Sequence, residues 1–351
     1  MASLSKNHAS LIATLPLFLI CTTALAEPDN TLVESVGMQT QLSPMEKCLL
    51  ESIKTAAPDT AVSKLQSECK KDITKITHGM PQDTKNELMT PIQEQMLADQ
   101  ITYERSFAIS PFQPNYFIAS HNSDPNEAPF EASTGNDVSL DKEEAEFQIS
   151  IKAPLWRNMF GSNNDLMAAY TQKSWLQKNN DDISNTFRET NYQPEIFLRH
   201  YGGPEIFGGQ TRVMDIGFNH ESNGHTGDLS RSWDRVIGRM LLDYDSVAVD
   251  LRAWYRIPEN DADDENPHMH RYYGYGDVRV SYAPNKNTFS AMLRPGTEEN
   301  GLELTWSYPL NKSFRLYAQY WNGYGESLID YDVRVKRIGI GIALNDWLQR
   351  N

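Results

Sequence analysis

From about Asn115 onward the chain consists of short segments in which apolar and polar residues alternate, and this alternation restricts the fold more than any other feature. Phe147, Ile149 and Ile151 oppose Gln148, Ser150 and Lys152; near the C-terminus Ile338, Ile340, Ile342 and Leu344 oppose Gly339, Gly341 and Ala343. Successive side chains of a strand point to opposite faces, so each segment offers one apolar face and one small or polar face. Twelve such segments lie between turn residues: 116–120, 146–155, 165–176, 190–199, 211–220, 233–242, 247–257, 275–283, 288–294, 303–308, 314–321 and 333–344. An even number of antiparallel strands with these two faces fits a wall between lipid and a polar lumen. The 16 Tyr and 7 Trp, many near segment ends, suit aromatic girdles at the edges of such a wall. The expected class is all-β: a twelve-stranded antiparallel transmembrane β-barrel, with a soluble β-sandwich as the alternative.

The N-terminal third has a different texture. Residues 1–26 form a secretory signal peptide, with Lys6 ahead of an apolar run over 11–21 and Ala24-Leu25-Ala26 as the cleavage site. Ile20 directly before Cys21 argues against lipoprotein processing. The formal net charge is −15, and removing this leader, which holds one Lys and no acid, makes it one unit more negative. Such an acidic exported chain is not a nucleic-acid binder. No mature stretch offers the roughly 18 consecutive apolar residues of a membrane helix. Residues 27–102 form an N-terminal periplasmic extension, in which Leu49, Leu50 and Ile53, then Val62 and Leu65, suggest two short helices. Cys48 and Cys69 are placed to staple them by a disulfide, the favoured state of two cysteines in an oxidising compartment. Pro81, Pro91 and polar runs make the rest of this extension a loosely ordered tether, and 103–351 is the barrel.

The chemistry concentrates in one hairpin. Met214, Ile216 and Phe218 share a parity that continues to His220 and Ser222; on the return strand Val236, Gly238, Met240 and Leu242 extend backwards to Asp234, with Ile237 and Leu241 as apolar exceptions on the other parity. A base, a hydroxyl and a carboxylate therefore stand where apolar rows end, at the rim of what those rows are buried in. Nucleophile, base and orienting group is the set needed to activate a weak serine hydroxyl.

The run Gly217-Phe218-Asn219-His220-Glu221-Ser222-Asn223-Gly224, with Ser230-Arg231-Ser232-Trp233-Asp234-Arg235, resembles the outer-membrane phospholipase A family. So do Pro154-Leu155-Trp156-Arg157, Tyr170-Thr171-Gln172-Lys173-Ser174-Trp175, Phe187-Arg188-Glu189-Thr190-Asn191-Tyr192, Gly323-Tyr324-Gly325-Glu326-Ser327-Leu328-Ile329-Asp330-Tyr331 and Leu344-Asn345-Asp346. The likeness spans nearly all of 103–347 and leaves the extension uncovered. It implies a twelve-stranded barrel of the bacterial outer membrane that hydrolyses acyl esters of phospholipids, at the A1 and A2 positions and in lysophospholipids. It also implies a need for calcium and activation by homodimer formation.

Carried over by position, Ser222 is the nucleophile, His220 the general base and Asp234 the orienting group where the family usually has Asn. The Gly224 N–H is the oxyanion donor. The calcium ligands implied are the Ser230 hydroxyl and the His225 carbonyl, joined by Ser184 of the partner subunit; His225 replaces a frequent Arg, which a main-chain ligand tolerates. A second calcium site maps to the acidic loop 261–266, with Asp264 and Glu265 both open as ligands. The alternative is a catalytically silent barrel, a pore or scaffold in which Asp234 has inactivated the site.

Overall fold

The computed structural model describes residues 44–56, 60, 64–65, 67–69, 89–104, 108–161, 163–177, 187–260 and 264–348. The leader, Ser184 and residues 261–263 lie outside the described residues. Two units are distinguished, 1–76 and 77–351. In the first, helix α1 (Pro44–Thr55) is followed by helical residues at 64–65 and 67–69, and Cys48 is disulfide-bonded to Cys69.

The second unit is a closed antiparallel barrel of twelve strands: β1 (Tyr116–Asn122), β2 (Glu143–Trp156), β3 (Asn164–Gln177), β4 (Phe187–Tyr201), β5 (Gly209–Ser222), β6 (Ser232–Tyr244), β7 (Val247–Arg256), β8 (Gly276–Tyr282), β9 (Thr288–Pro295), β10 (Asn300–Pro309), β11 (Arg315–Gly323) and β12 (Val335–Ala343). Sequential neighbours pair, and β12 closes the ring on β1 from Ala343↔Tyr116 to Arg337↔Asn122. A closed sheet leaves no unpaired edge, which is what lets a strand protein face hydrocarbon. All twelve alternating segments of the sequence lie within or across these strands. The end of the barrel bearing the loops 223–231 and 324–334 is called the upper end below.

Alternation sorts the side chains as the period of two demands. On β12, Ile338, Ile340 and Ile342 are exposed on the outer wall, while Arg337 points inward and is buried. The lumen holds interlocked ion pairs. Arg188 reaches Glu144 at 2.6 Å and Asp330 at 2.8 Å; Arg337 reaches Glu144 at 2.5 Å and Glu326 at 2.9 Å. Arg199, Arg239 and Arg252 grip Asp215, Asp250 and Asp277 through paired bonds of 2.6–2.8 Å. Desolvated charges persist only when paired in this way, so the lumen is a braced polar core with a residual chamber of about 100 Å³.

The two ends are closed differently. At the upper end Trp233, Ile237, Trp254, Met269, Tyr273, Leu328 and Tyr331 form an apolar cap. Trp175 and Trp321 are also buried on the inner face, so several tryptophans brace the interior instead of forming the expected girdle. Trp156, Tyr255, Tyr275, Tyr282 and Tyr308 do stand exposed on the outside.

At the lower mouth sits an element that replaces part of the expected tether. Helix α2 (Pro91–Tyr103) starts with Pro at its first position and a full capping box, in which Thr90 Oγ1 accepts from the Gln93 N–H and Gln93 Oε1 accepts from the Thr90 N–H. Its Ile92 packs with Ala248, Ala283 and Leu348, Asp99 pairs with buried Lys152 at 2.6 Å, and Thr90 donates to Asp243 at 2.6 Å. A boundary at 102/103 would cut through the end of this helix. The residues after β12 turn into the same mouth, where the Arg279 guanidinium lies 3.9 Å above the Trp347 ring.

Candidate functional site

The hairpin β5–β6 fixes the site. On the outer face of β5, exposed Ile216 and Phe218 precede His220 and Ser222; on β6, exposed Val236 follows Asp234. The strand register sets His220 opposite Asp234 and Ser222 opposite Ser232. Ile237 and Leu241, the two exceptions to the outer row, face inward, Ile237 into the upper cap and Leu241 against the cluster around Ile92. The inner face of the hairpin is locked: Glu221 accepts from Arg235 at 2.8 Å and from the Trp233 indole at 3.0 Å, and the Arg235 guanidinium stacks 4.0 Å above Trp233. Strand pairing and this lock hold the outer residues on a rigid backing, as a preorganised site requires.

His220 Nδ1 and Asp234 Oδ1 are 2.8 Å apart, with the two side chains 42% and 41% exposed. A carboxylate accepts only, so Nδ1 carries the proton and Nε2 is left as the basic nitrogen. Ser222 lies two residues further along the same face, and its Oγ accepts from the Gly224 N–H at 3.1 Å. No hydrogen bond joins Ser222 to His220 in this structure; they share a face without touching through Nε2. Gly224 has φ +68°, and a Cβ there would lie 3.1 Å from the Tyr192 ring, which is why glycine occupies the position. Tyr192 pairs in register with both Ser222 and Gln172, so the outer row runs Gln172, Tyr192, Ser222, Ser232 across four strands. Gln172, Tyr192, Thr190 and Gly224 line an open groove of about 230 Å³ beside the serine.

Two of the expected calcium ligands, His225 and Ser230, fall on the loop 223–231, while Ser184 lies outside the described residues. The His225 carbonyl and the Ser230 hydroxyl take part in no hydrogen bond among the described residues, and both are oxygen donors of the kind calcium takes. No group of three or more acidic, His or Cys side chains suited to a metal occurs among the described residues. The available donors thus fit a hard cation and not a soft one. The His225 imidazole turns the other way, Nε2 lying 3.4 Å from Glu189, and that hydrogen bond holds its pKa above the ordinary value. In the acidic loop, Asp264 accepts from Arg256 at 2.6 Å, whereas Glu265 reaches Ser232 at 3.5 Å. Glu265 is the freer of the two carboxylates.

Two contributors are not evident from the sequence. Asn223, buried just after β5, bonds across the whole loop, and Leu229 packs on Phe130, Val138, Leu140 and Ile329, so that helix α3 (Ala128–Thr134) buttresses the loop. An Asn followed by Gly at a strand end is a turn-forming signal, but its far partners appear only in three dimensions.

A closed antiparallel barrel with a histidine–carboxylate pair and a serine on its outer wall defines a class: an outer-wall site with the constituents of a serine hydrolase. Comparisons narrow it. The phospholipase A1 family model matches residues 92–344. Phospholipase A1 of Escherichia coli K12 is 38% identical over 246 residues, 70% of this chain and 84% of that protein. The solved outer membrane phospholipase A of Escherichia coli superposes with a TM-score of 0.64 at 37% identity, covering 69% of this chain and all of that one. A Salmonella typhi outer membrane phospholipase, solved as a dimer with bound calcium, gives a TM-score of 0.65 at 36% identity, over 70% and 96% of the two chains. The chain belongs to the phospholipase A1 family.

Proposed function

We propose that this protein is a calcium-dependent phospholipase A of a bacterial outer membrane, hydrolysing acyl esters of phospholipids and lysophospholipids at the lipid-facing wall of its barrel. The observation that carries this reading is the placement of His220, Asp234, Ser222 and Gly224 on one outer face, continuous with the apolar rows of β5 and β6. The family match, and the outer-membrane and dimeric, calcium-bound forms of its relatives, support it. Ser222 Oγ attacks the ester carbonyl carbon and passes its proton to His220 Nε2, while Asp234 holds Nδ1–H and stabilises the imidazolium. The Gly224 N–H releases Ser222 Oγ and donates to the developing oxyanion. The imidazolium proton leaves with the glycerol oxygen, and an acyl-Ser222 ester remains. His220 then deprotonates a water that attacks this ester, releasing fatty acid and restoring Ser222.

A calcium held by the His225 carbonyl and the Ser230 hydroxyl, with Ser184 from a second copy of the chain, would polarise the ester further. Glu265 or Asp264 would serve a second, non-catalytic calcium site. Localisation in the outer membrane is supported by the outer-membrane relatives and by a barrel whose outer wall is apolar, with the expected 1–26 leader as the means of export. A pore is disfavoured by the braced lumen and the two closed ends.

The test is fatty-acid release from long-chain phospholipid by refolded protein, with calcium and with chelator, alongside Ser222→Ala. Calcium-dependent release that vanishes in Ser222→Ala is expected. A folded, cross-linkable dimer that releases nothing would leave the silent-barrel reading in its place.

A further inference from the structure

The loop between β5 and β6 carries Gly224, His225 and Ser230, yet it contains two positive-φ glycines, Gly224 and Gly227, and only a single 3₁₀ turn over Gly227–Leu229. Among the described residues, its backbone is closed by only two main-chain bonds, from the Asn223 N–H to the Arg231 carbonyl and from the Ser230 N–H to the Gly227 carbonyl, each 3.0 Å. Besides the packing of Leu229 and the contact of the His225 ring with Glu189, one buried side chain links three of its main-chain groups. Asn223 Oδ1 accepts from the His225 N–H at 3.2 Å and from the Arg231 N–H at 3.0 Å, and Asn223 Nδ2 donates to the Leu229 carbonyl at 2.8 Å. The same Nδ2 reaches Glu189 on β4 at 3.4 Å. Glu189 is itself fixed, fully buried, and accepts from Asn191 Nδ2 and from the Ile329 N–H at 3.2 Å. The three loop contacts flank the two oxygen donors: the His225 N–H precedes the His225 carbonyl, and Leu229 and Arg231 bracket Ser230.

We propose that Asn223 is a positioning residue for calcium: its one carboxamide sets the separation of the His225 carbonyl and the Ser230 hydroxyl, and Glu189 anchors it to the barrel wall. This rests on the phospholipase reading above. A carboxamide suits the task because it carries an acceptor and a donor on two separate atoms of one planar group, whereas an ionised carboxylate only accepts, a hydroxyl has a single oxygen for both roles and an apolar side chain has neither. Without it, three partly buried main-chain polar groups lose a partner and the loop relaxes, so the two oxygens reach calcium in many geometries and hold it in few.

The experiment measures phospholipid hydrolysis against calcium concentration for the full chain, for Asn223→Leu and for Asn223→Asp. Direct binding of terbium, a luminescent substitute for calcium, and the rate at which a long-chain fluorophosphonate labels Ser222 are recorded in parallel. Asn223→Leu should raise the calcium needed for half-maximal rate at least tenfold and weaken terbium binding by a similar factor, with a smaller loss of rate at saturating calcium. Asn223→Asp keeps both acceptor bonds, loses the donor bond to Leu229 and faces Glu189, and should fall between the two.

If folded Asn223→Leu shifts half-saturation less than about threefold, or loses rate equally at every calcium concentration, the assignment is wrong. If Asn223→Leu does not fold, the same threefold limit on Asn223→Asp decides. Inactivity of the unmodified protein would instead strike at the phospholipase reading, which keeps the two failures apart.

Discussion

Replacing Asp234 measures what the carboxylate contributes at a position where the resemblance implies Asn as the usual residue. The His220–Asp234 contact is a 2.8 Å hydrogen bond between half-exposed side chains. A hydrogen bond to a charged group is worth about 1.5–3 kcal/mol against about 0.5–1.5 for a neutral pair, and the exposure places this one at the low end of its range. Asp234→Asn keeps an acceptor for Nδ1–H and gives up only the difference, about 1 kcal/mol, or roughly fivefold in kcat/KM. Asp234→Ala removes the acceptor as well, so the imidazole is free to present the wrong tautomer; a loss of about 2 kcal/mol corresponds to about thirtyfold. The assay is initial-rate hydrolysis of a long-chain phospholipid in mixed micelles at saturating calcium, with folding verified by heat-modifiable gel mobility. The order native, Asn, Ala is expected, all above Ser222→Ala. An Asp234→Ala protein within twofold of native would refute the orienting role. So would an Asn variant as slow as the Ala variant, since the amide would then be shown unable to hold the ring.

Gly224→Ala should cost activity about tenfold with little change in barrel melting, because φ +68° strains a Cβ by about 1–2 kcal/mol and the methyl meets the Tyr192 ring; native kcat in this variant would remove Gly224 from the oxyanion role. Asp346, beyond β12, is pushed up to about 6 by burial. A raised folded pKa means that its contribution to stability is complete below the unfolded value near 3.8 and is lost as pH rises through 6. Melting temperature should therefore climb as pH falls from 7 to 5, and Asp346→Asn should flatten that slope; an unchanged slope would be the contrary result. Asp99→Asn weakens the partner of buried Lys152, at a cost of up to about 3–5 kcal/mol, and should lower the temperature at which the folded gel band disappears, an outcome that an unshifted band would contradict. Cys48→Ser should make residues 44–69 protease-sensitive while the barrel fragment survives, since a disulfide closing a loop of this length stabilises by about 3 kcal/mol.

The barrel and the outer face of the site were legible because both follow from a period of two. Parity along β5 and β6 suffices to put His220, Ser222 and Asp234 on one side, and hairpin pairing then sets His220 opposite Asp234. What stayed hidden is what depends on distant partners. Arg188 and Asp330 are 142 residues apart, so no local pattern announces their ion pair. Helix α2 was masked by its composition: its lumen-seeking face is a mixture of Ile92, Met96 and Asp99, because the surface it meets is itself mixed, and the local signs are the Thr90–Gln93 capping pair and Pro91 at the first helical position, where a proline starts a helix as readily as it breaks one. Inward tryptophans read as girdle residues for the same reason, since a large aromatic near a strand end suits either face until the cap above it is known. In Asn223 the residue was visible within the motif but its reach to Leu229 and Glu189 was not.

The closed lower mouth also orders events in time. Helix α2 rests on Lys152 of β2, Asp243 of β6, Ala248 of β7 and Ala283 beyond β8, while Thr288 Oγ1 at the start of β9 donates to the Leu348 carbonyl. These groups come from β2 on one side and from the run β6–β9 on the other, so all of them meet only when the strands of the ring are in place. We expect the helix and the C-terminal residues to seat late in folding, after the strands they rest on have paired. Substitutions confined to those contacts should leave the folding rate nearly unchanged and speed unfolding. The mouth then acts as a latch on the lifetime of the assembled barrel, set independently of the rate at which the barrel forms.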